Sequence, residues 1–148
     1  MTALVVDASV AIKWLVREEG SDNALCLLDA KLVAPDLLYA EAANILWKMV
    51  RRGQVSADEA DQAAYALSQV EIQIVPARSL FALALRLSVQ LDHPAYDCVY
   101  LAAADALATT FVTADAKLLR KLAGRLRFAA LDLAEAAARF GSPRPAAR

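Results

Sequence analysis

Short apolar runs along the chain alternate with longer stretches in which apolar residues recur every three or four positions. Ala3-Leu4-Val5-Val6 is an apolar run that stops at Asp7, the pattern of a strand buried on both faces. From Ser9 to Arg17, Val10, Trp14 and Leu15 recur at helical spacing, with Ser9 available as N-cap. Ser21 and Asp22 open a second helix running through Leu28, and Lys31-Leu32-Val33-Ala34 reads as a brief strand stopped by Pro35. Leu38, Ala42, Ile45, Leu46 and Met49 then form one helical stripe, which Gly53 ends. Ser56-Ala57-Asp58-Glu59 fits a capping box for a helix reaching Ser68. Glu71 to Val75 alternates polar with apolar and stops at Pro76, as a half-exposed strand does. Ser79 to Leu91 is helical until Asp92-His93-Pro94 breaks it. Tyr96 to Leu107 reads as an apolar helix, Thr109 to Thr113 as a strand, Asp115 to Leu122 as a helix, Arg127 to Leu131 as a last strand and Leu133 to Phe140 as an amphipathic helix.

Strands separated by helices predict an α/β fold: a small, mostly parallel sheet with helices on both faces, in one domain over residues 1–140. Residues 141–148 lack core-forming side chains and read as a disordered tail. In such a sheet, ligands bind beyond the carboxyl ends of the strands. The 148 residues suffice for one substantial core, and a 59% hydrophobic share suggests that some surface is covered by a partner. A net charge of -1 excludes a uniformly basic nucleic-acid binder, so phosphate contacts must come from local basic patches or bound cations. Cys26 and Cys98 lie in apolar helical patterns, which suits reduced thiols. The start of the chain carries no basic leader and no stretch is apolar for long enough to span a bilayer, so a cytoplasmic protein away from membranes is expected.

The acids are unevenly placed. Asp7 and Asp115 each follow a strand at its carboxyl end and should point into one crevice, while Glu41 sits in the apolar stripe of its helix. Asp97 is the one acid near the start of a helix that is apolar nearly all round. Each has an ordinary alternative: an N-cap for Asp7 or Asp115, an interior salt bridge for Glu41, a helix-dipole partner for Asp97. As a set, converging carboxylates repel, by about 4 kcal/mol for a pair roughly 4 Å apart at an effective dielectric near 20. Either protons or a cation must hold them. With one histidine and no paired cysteines, zinc lacks its usual ligands, whereas Mg²⁺ or Mn²⁺ accepts carboxylates. Such an ion can bridge a phosphate and acidify a water, which points to phosphodiester hydrolysis.

The segments Val5-Val6-Asp7-Ala8-Ser9-Val10, Ala34-Pro35 through Glu41-Ala42-Ala43-Asn44, His93-Pro94-Ala95-Tyr96-Asp97 through Ala102, and Val112-Thr113-Ala114-Asp115 through Leu118 resemble PIN-domain nucleases, specifically the VapC toxins of toxin–antitoxin pairs. Their order and spacing match from residue 3 to about 132. The resemblance implies a Mg²⁺- or Mn²⁺-dependent endoribonuclease. Asp7, Glu41 and Asp97 take the places of the family's core acids and Asp115 the more variable fourth. Ser9 and Thr113 match hydroxyl residues that hydrogen-bond the acids or a metal-bound water. It also implies an RNA substrate, a homodimer and a VapB-type antitoxin across the groove.

Arg51 and Arg52 end the Glu41 helix, and Lys117, Arg120 and Lys121 follow Asp115. Either group could hold an RNA backbone or be an ordinary solvated face. Trp14 and Tyr96 could stack bases, though Trp14 reads more readily as core or interface. His93, beside Pro94 in a turn, reads as structural or solvent-facing. The competing functions are a receiver-like signalling module, a haloacid-dehalogenase-type phosphatase and a catalytically silent PIN-fold binding module. A receiver would pair two acids after its first strand and the phosphatase would want an aspartate at position 9. Here Asp7 is followed by Ala8-Ser9. Intact acids argue against the silent module.

Overall fold

A computed structural model of the chain describes residues 2–143. Five strands, β1 (Ala3–Val6), β2 (Lys31–Pro35), β3 (Gln73–Val75), β4 (Thr110–Val112) and β5 (Ala130–Leu131), form one sheet in the order β3-β2-β1-β4-β5. Every pairing is parallel, with Val5 opposite Val33 on one side and Phe111 on the other. Among the described residues, eight helices connect and cover the strands: α1 (Ala8–Leu15), α2 (Ser21–Leu25), α3 (Leu37–Arg51), α4 (Ala57–Gln69), α5 (Ala77–Leu91), α6 (Ala95–Ala106), α7 (Ala116–Leu122) and α8 (Leu133–Phe140).

Alternation along each strand divides the core in two. Val5, Val33 and Phe111 pack with α3 to α7, whereas Leu4, Val6, Leu32 and Val112 pack with α2 and α8 on the opposite face. Helix α6 is buried along Cys98–Ala104, which accounts for its nearly uniform apolar sequence. The strand order reverses direction around β1 and β4, so the crevice expected of a doubly wound sheet opens beyond Val6 and Val112.

Strand β3 covers Gln73–Val75 and not the whole of Glu71–Val75, and among the other local departures from the expected elements three have plain causes. Asp7, not Ser9, is the N-cap of α1: its carboxylate accepts from the Val10 N–H, and Ser9 lies one residue inside the helix. Helix α2 stops at Leu25 instead of Leu28, because Leu27, Leu28 and Ala30 close tight turns that drop Leu27 into the core. The last strand is two residues long instead of five, since Leu126 and Phe128 pack against the helical layer ahead of the sheet. At the other end, the Gly141 and Ser142 N–H groups donate to the carbonyls of Ala137 and Cys26. The remainder of the expected tail, residues 144–148, lies outside the described residues.

Candidate active site

Asp7 leaves β1 at its carboxyl end and is 7% exposed. Three groups hold its carboxylate: Ser9 Oγ donates to Oδ1 at 2.5 Å, Thr113 Oγ1 donates to Oδ2 at 2.5 Å, and the Val10 N–H donates to Oδ1 at 3.3 Å. Burial nevertheless wins and pushes its pKa up to about 6, the three donors opposing and the Asp97 charge reinforcing the rise. Ser9 in the first turn of α1 and Thr113 just past the end of β4 meet here, their hydroxyl oxygens 3.3 Å apart.

Glu41 lies at the rim of the α3 stripe, beside buried Leu38 and Ala42. Burial raises its pKa, the Tyr100 hydroxyl lowers it, and the Asp97 charge raises it further. Glu41 Oε1 and Tyr100 Oη are both buried, and neither reaches a partner with hydrogen-bond geometry. Tyr100, almost fully enclosed in α6, is held protonated by burial and by the carboxylates of Glu41, Asp7 and Asp97. One hydroxyl therefore senses all three acids. Asp97, in the first turn of α6, is half-buried, and His93 Nε2 stands 2.6 Å from its Oδ2.

Asp115 stands apart. It is exposed, its Oδ1 caps α7 by accepting from the Leu118 N–H at 3.0 Å, and it joins the others only through its own N–H, which donates to Thr113 Oγ1. Among the described residues none of the four acids pairs with an arginine or lysine, so the interior salt bridge open to Glu41 is not formed. No three acidic, imidazole or thiol side chains among the described residues are gathered closely enough to form a metal-binding group. Asp7, Glu41 and Asp97 thus share one electrostatic field without forming a closed ligand cage.

Two clefts flank Ile45 of α3. One, of about 480 Å³, is lined by Ser9, Lys13, Arg52 and Asp115; the other, of about 430 Å³, by Glu41, Asn44, Lys48 and Tyr96. A larger cleft of about 720 Å³ lies at the opposite end of the sheet, where β2 and β3 begin. Of the cations that could hold an RNA backbone, Arg52 lines one of these two clefts. The Arg51 guanidinium lies over Trp47, 5.4 Å from the ring centroid, and Lys121 Nζ is bonded to the Asp92 carbonyl and to His93. Lys117 and Arg120 are exposed on α7. Trp14 is bound into the core through its indole N–H, which donates to the Ala24 carbonyl, and Tyr96 is exposed at the mouth of the Glu41 cleft. Lys48 and Tyr100 carried no mark in the sequence beyond helical spacing.

The donor set fits a hard divalent cation. It offers carboxylate oxygens, one of them buried without a partner, and buried Asp7 and half-buried Glu41 have pKa values raised by burial and by a neighbouring like charge.

The family model described as PIN domain matches residues 4–124. Ribonuclease VapC3 of Pyrobaculum aerophilum is 34% identical over 126 residues, which cover 80% of this chain and 93% of that protein. Among solved structures, PAE2754 from Pyrobaculum aerophilum matches with a TM-score of 0.71 at 24% identity, covering 94% of this chain and 89% of that one. A toxin–antitoxin complex from Klebsiella pneumoniae matches with a TM-score of 0.60 at 15% identity, covering 82% of this chain and 92% of that one. These two likenesses show the shared fold.

Proposed function

Because the chain belongs to the PIN-domain family, in its VapC ribonuclease branch, we propose that it is the toxin of a toxin–antitoxin pair and cleaves RNA internally with the help of Mg²⁺ or Mn²⁺. The observation that carries the metal part is the uncompensated carboxylate field: Asp7 is enclosed with its pKa pushed up to about 6, and Glu41 Oε1 is buried with no partner. A cation relieves both conditions.

Asp7, Glu41 and Asp97 would hold the ion, with Asp115 as a fourth acid that first gives up part of its capping role. The bound ion supplies Lewis acidity toward the phosphodiester and toward the attacking water. Ser9 and Thr113 fix the Asp7 carboxylate so that it needs no reorganisation as charge develops. Arg52 and Lys48 each line a cleft beside the acids and would meet the phosphate backbone. A VapB-type antitoxin and a second copy of the chain belong to the same reading. The Klebsiella neighbour is a toxin–antitoxin complex, and Phe81, Leu85 and Val89 of α5 form an exposed apolar ridge at four-residue spacing.

The test is incubation of purified, antitoxin-free protein with total RNA, with Mn²⁺ or with chelator. Discrete fragments are expected only with the metal. Asp7→Asn and Asp97→Asn should each cut cleavage by at least about 100-fold, more than loss of an outer hydrogen-bond partner costs. Undiminished cleavage by both variants would remove the acids from the chemistry.

A further inference from the structure

His93 lies in the left-handed turn between α5 and α6, and its surroundings are built to hold it. Asp92, at φ 51°, ends α5 and turns the chain. The His93 N–H donates to the Ser88 carbonyl at 3.1 Å, and its own carbonyl accepts from Ser88 Oγ and from Cys98 Sγ. From the next layer, α7 and its trailing turn clamp the same segment. Lys121 Nζ donates to the Asp92 carbonyl at 2.5 Å, and the Arg125 guanidinium donates to the carbonyls of Gln90 and Leu91. The imidazole is 14% exposed and lies between two charged groups, with Lys121 Nζ 3.0 Å from Nδ1 and Asp97 Oδ2 2.6 Å from Nε2.

An ammonium can only donate, so Nδ1 must be the bare acceptor nitrogen and the ring proton must sit on Nε2. Nε2–H then donates to Asp97. We propose that Lys121 and His93 form a two-link orienting arm: Lys121 donates to Nδ1 and so reinforces the Nε2–H tautomer that Asp97 also requires, and that N–H holds Asp97 Oδ2, leaving Oδ1 free of hydrogen bonds from the described residues. Both are positioning residues that act through Asp97. Lys121 is thereby committed to the protein, not to the RNA backbone. Metal-site carboxylates are commonly held in this way by an outer partner whose loss weakens metal binding about 10- to 100-fold. The inference rests on the proposed role of Asp97 as a metal-holding acid.

Because His93 is the sole histidine, its two ring nitrogens can be read without ambiguity in a long-range proton–nitrogen spectrum of the metal-free protein at mildly alkaline pH. The wild type should show the Nε2–H tautomer, and Lys121→Met should shift the Nδ1 signal as that nitrogen loses its donor. A wild-type Nδ1–H ring, or a spectrum unchanged by Lys121→Met, overturns the arm. Mn²⁺ affinity, followed by the electron-spin signal of the free ion, supplies the second readout. His93→Phe should bind Mn²⁺ about 10-fold or more weakly, whereas His93→Gln, which keeps an N–H near Nε2, should recover most of the loss. An equal loss in both variants assigns the effect to packing and overturns the proposal. If Asp97→Asn loses Mn²⁺ while His93→Phe retains it, the arm fails and the carboxylate site stands. If Asp97→Asn binds Mn²⁺ like the wild type, the carboxylate reading fails and takes the arm with it.

Discussion

At Asp7 two opposing effects meet, and burial is the larger. Ser9, Thr113 and the Val10 N–H all favour the ionised form, yet the pKa rises from the ordinary 3.8 to about 6. The folded protein therefore holds a proton here more tightly than the unfolded chain does. Stability from this residue is fully present below about pH 4 and is lost as the pH climbs through about 6. The cost at neutral pH, set by roughly two pKa units, is up to about 3 kcal/mol. Denaturant titrations in chelator should show stability falling across that window, Asp7→Asn should flatten the fall, and Mn²⁺ should offset it in the wild type. Equal slopes for wild type and variant would deny the penalty. Proton release also links to metal binding, so Mn²⁺ affinity should rise as the pH passes through about 6. Tyr100 is a second residue with a cost attached, since its hydroxyl is buried without a partner of proper geometry. Tyr100→Phe should leave stability unchanged or raise it by about 1 kcal/mol in thermal unfolding. A loss of several kcal/mol would show that the hydroxyl is bonded after all.

Among the elements, α7 has a start that serves two masters. Asp115 caps it, and the same residue is the candidate fourth acid. The two roles separate by substitution. Asp115→Ala should cost about 1 kcal/mol through the lost cap, whereas Asp115→Asn keeps an oxygen for the Leu118 N–H and should cost only a few tenths. If cleavage falls alike in both, the charge matters to the reaction. If it falls only with stability, in the alanine variant, Asp115 is a cap alone. Helix α6 shows the converse economy: burial along Cys98–Ala104 fixes its depth, and its first turn, outside that run, presents Asp97. The turn ahead of it is what α5 and α7 jointly restrain, so Asp97 takes its position from three helices.

For the whole molecule, the apolar ridge of Phe81, Leu85 and Val89 predicts self-association. Sedimentation of the purified protein should give about twice the 15.9 kDa of one chain, and a single-chain mass at micromolar concentration would remove the second copy from the reading. Among the described residues no helix is long and apolar enough to cross a membrane. Much of this architecture could be read directly from the chain, because its signals are local. Helical spacing, the capping box at Ser56 and the stop at Gly53 each depend on residues a few positions apart, and those elements formed as expected, whereas the alternating strand expected over Glu71–Val75 shortened to Gln73–Val75. Asp7 and Asp115 could likewise be placed at strand ends, since a strand's end is visible where its apolar run stops. Strand order, which of the acids share a field, the enclosure of Tyr100 among three carboxylates and the grip of Lys121 on His93, 28 residues away, were decided only by the tertiary structure. Desolvation and hydrogen-bond geometry depend on distances through space, and a linear pattern records none of them.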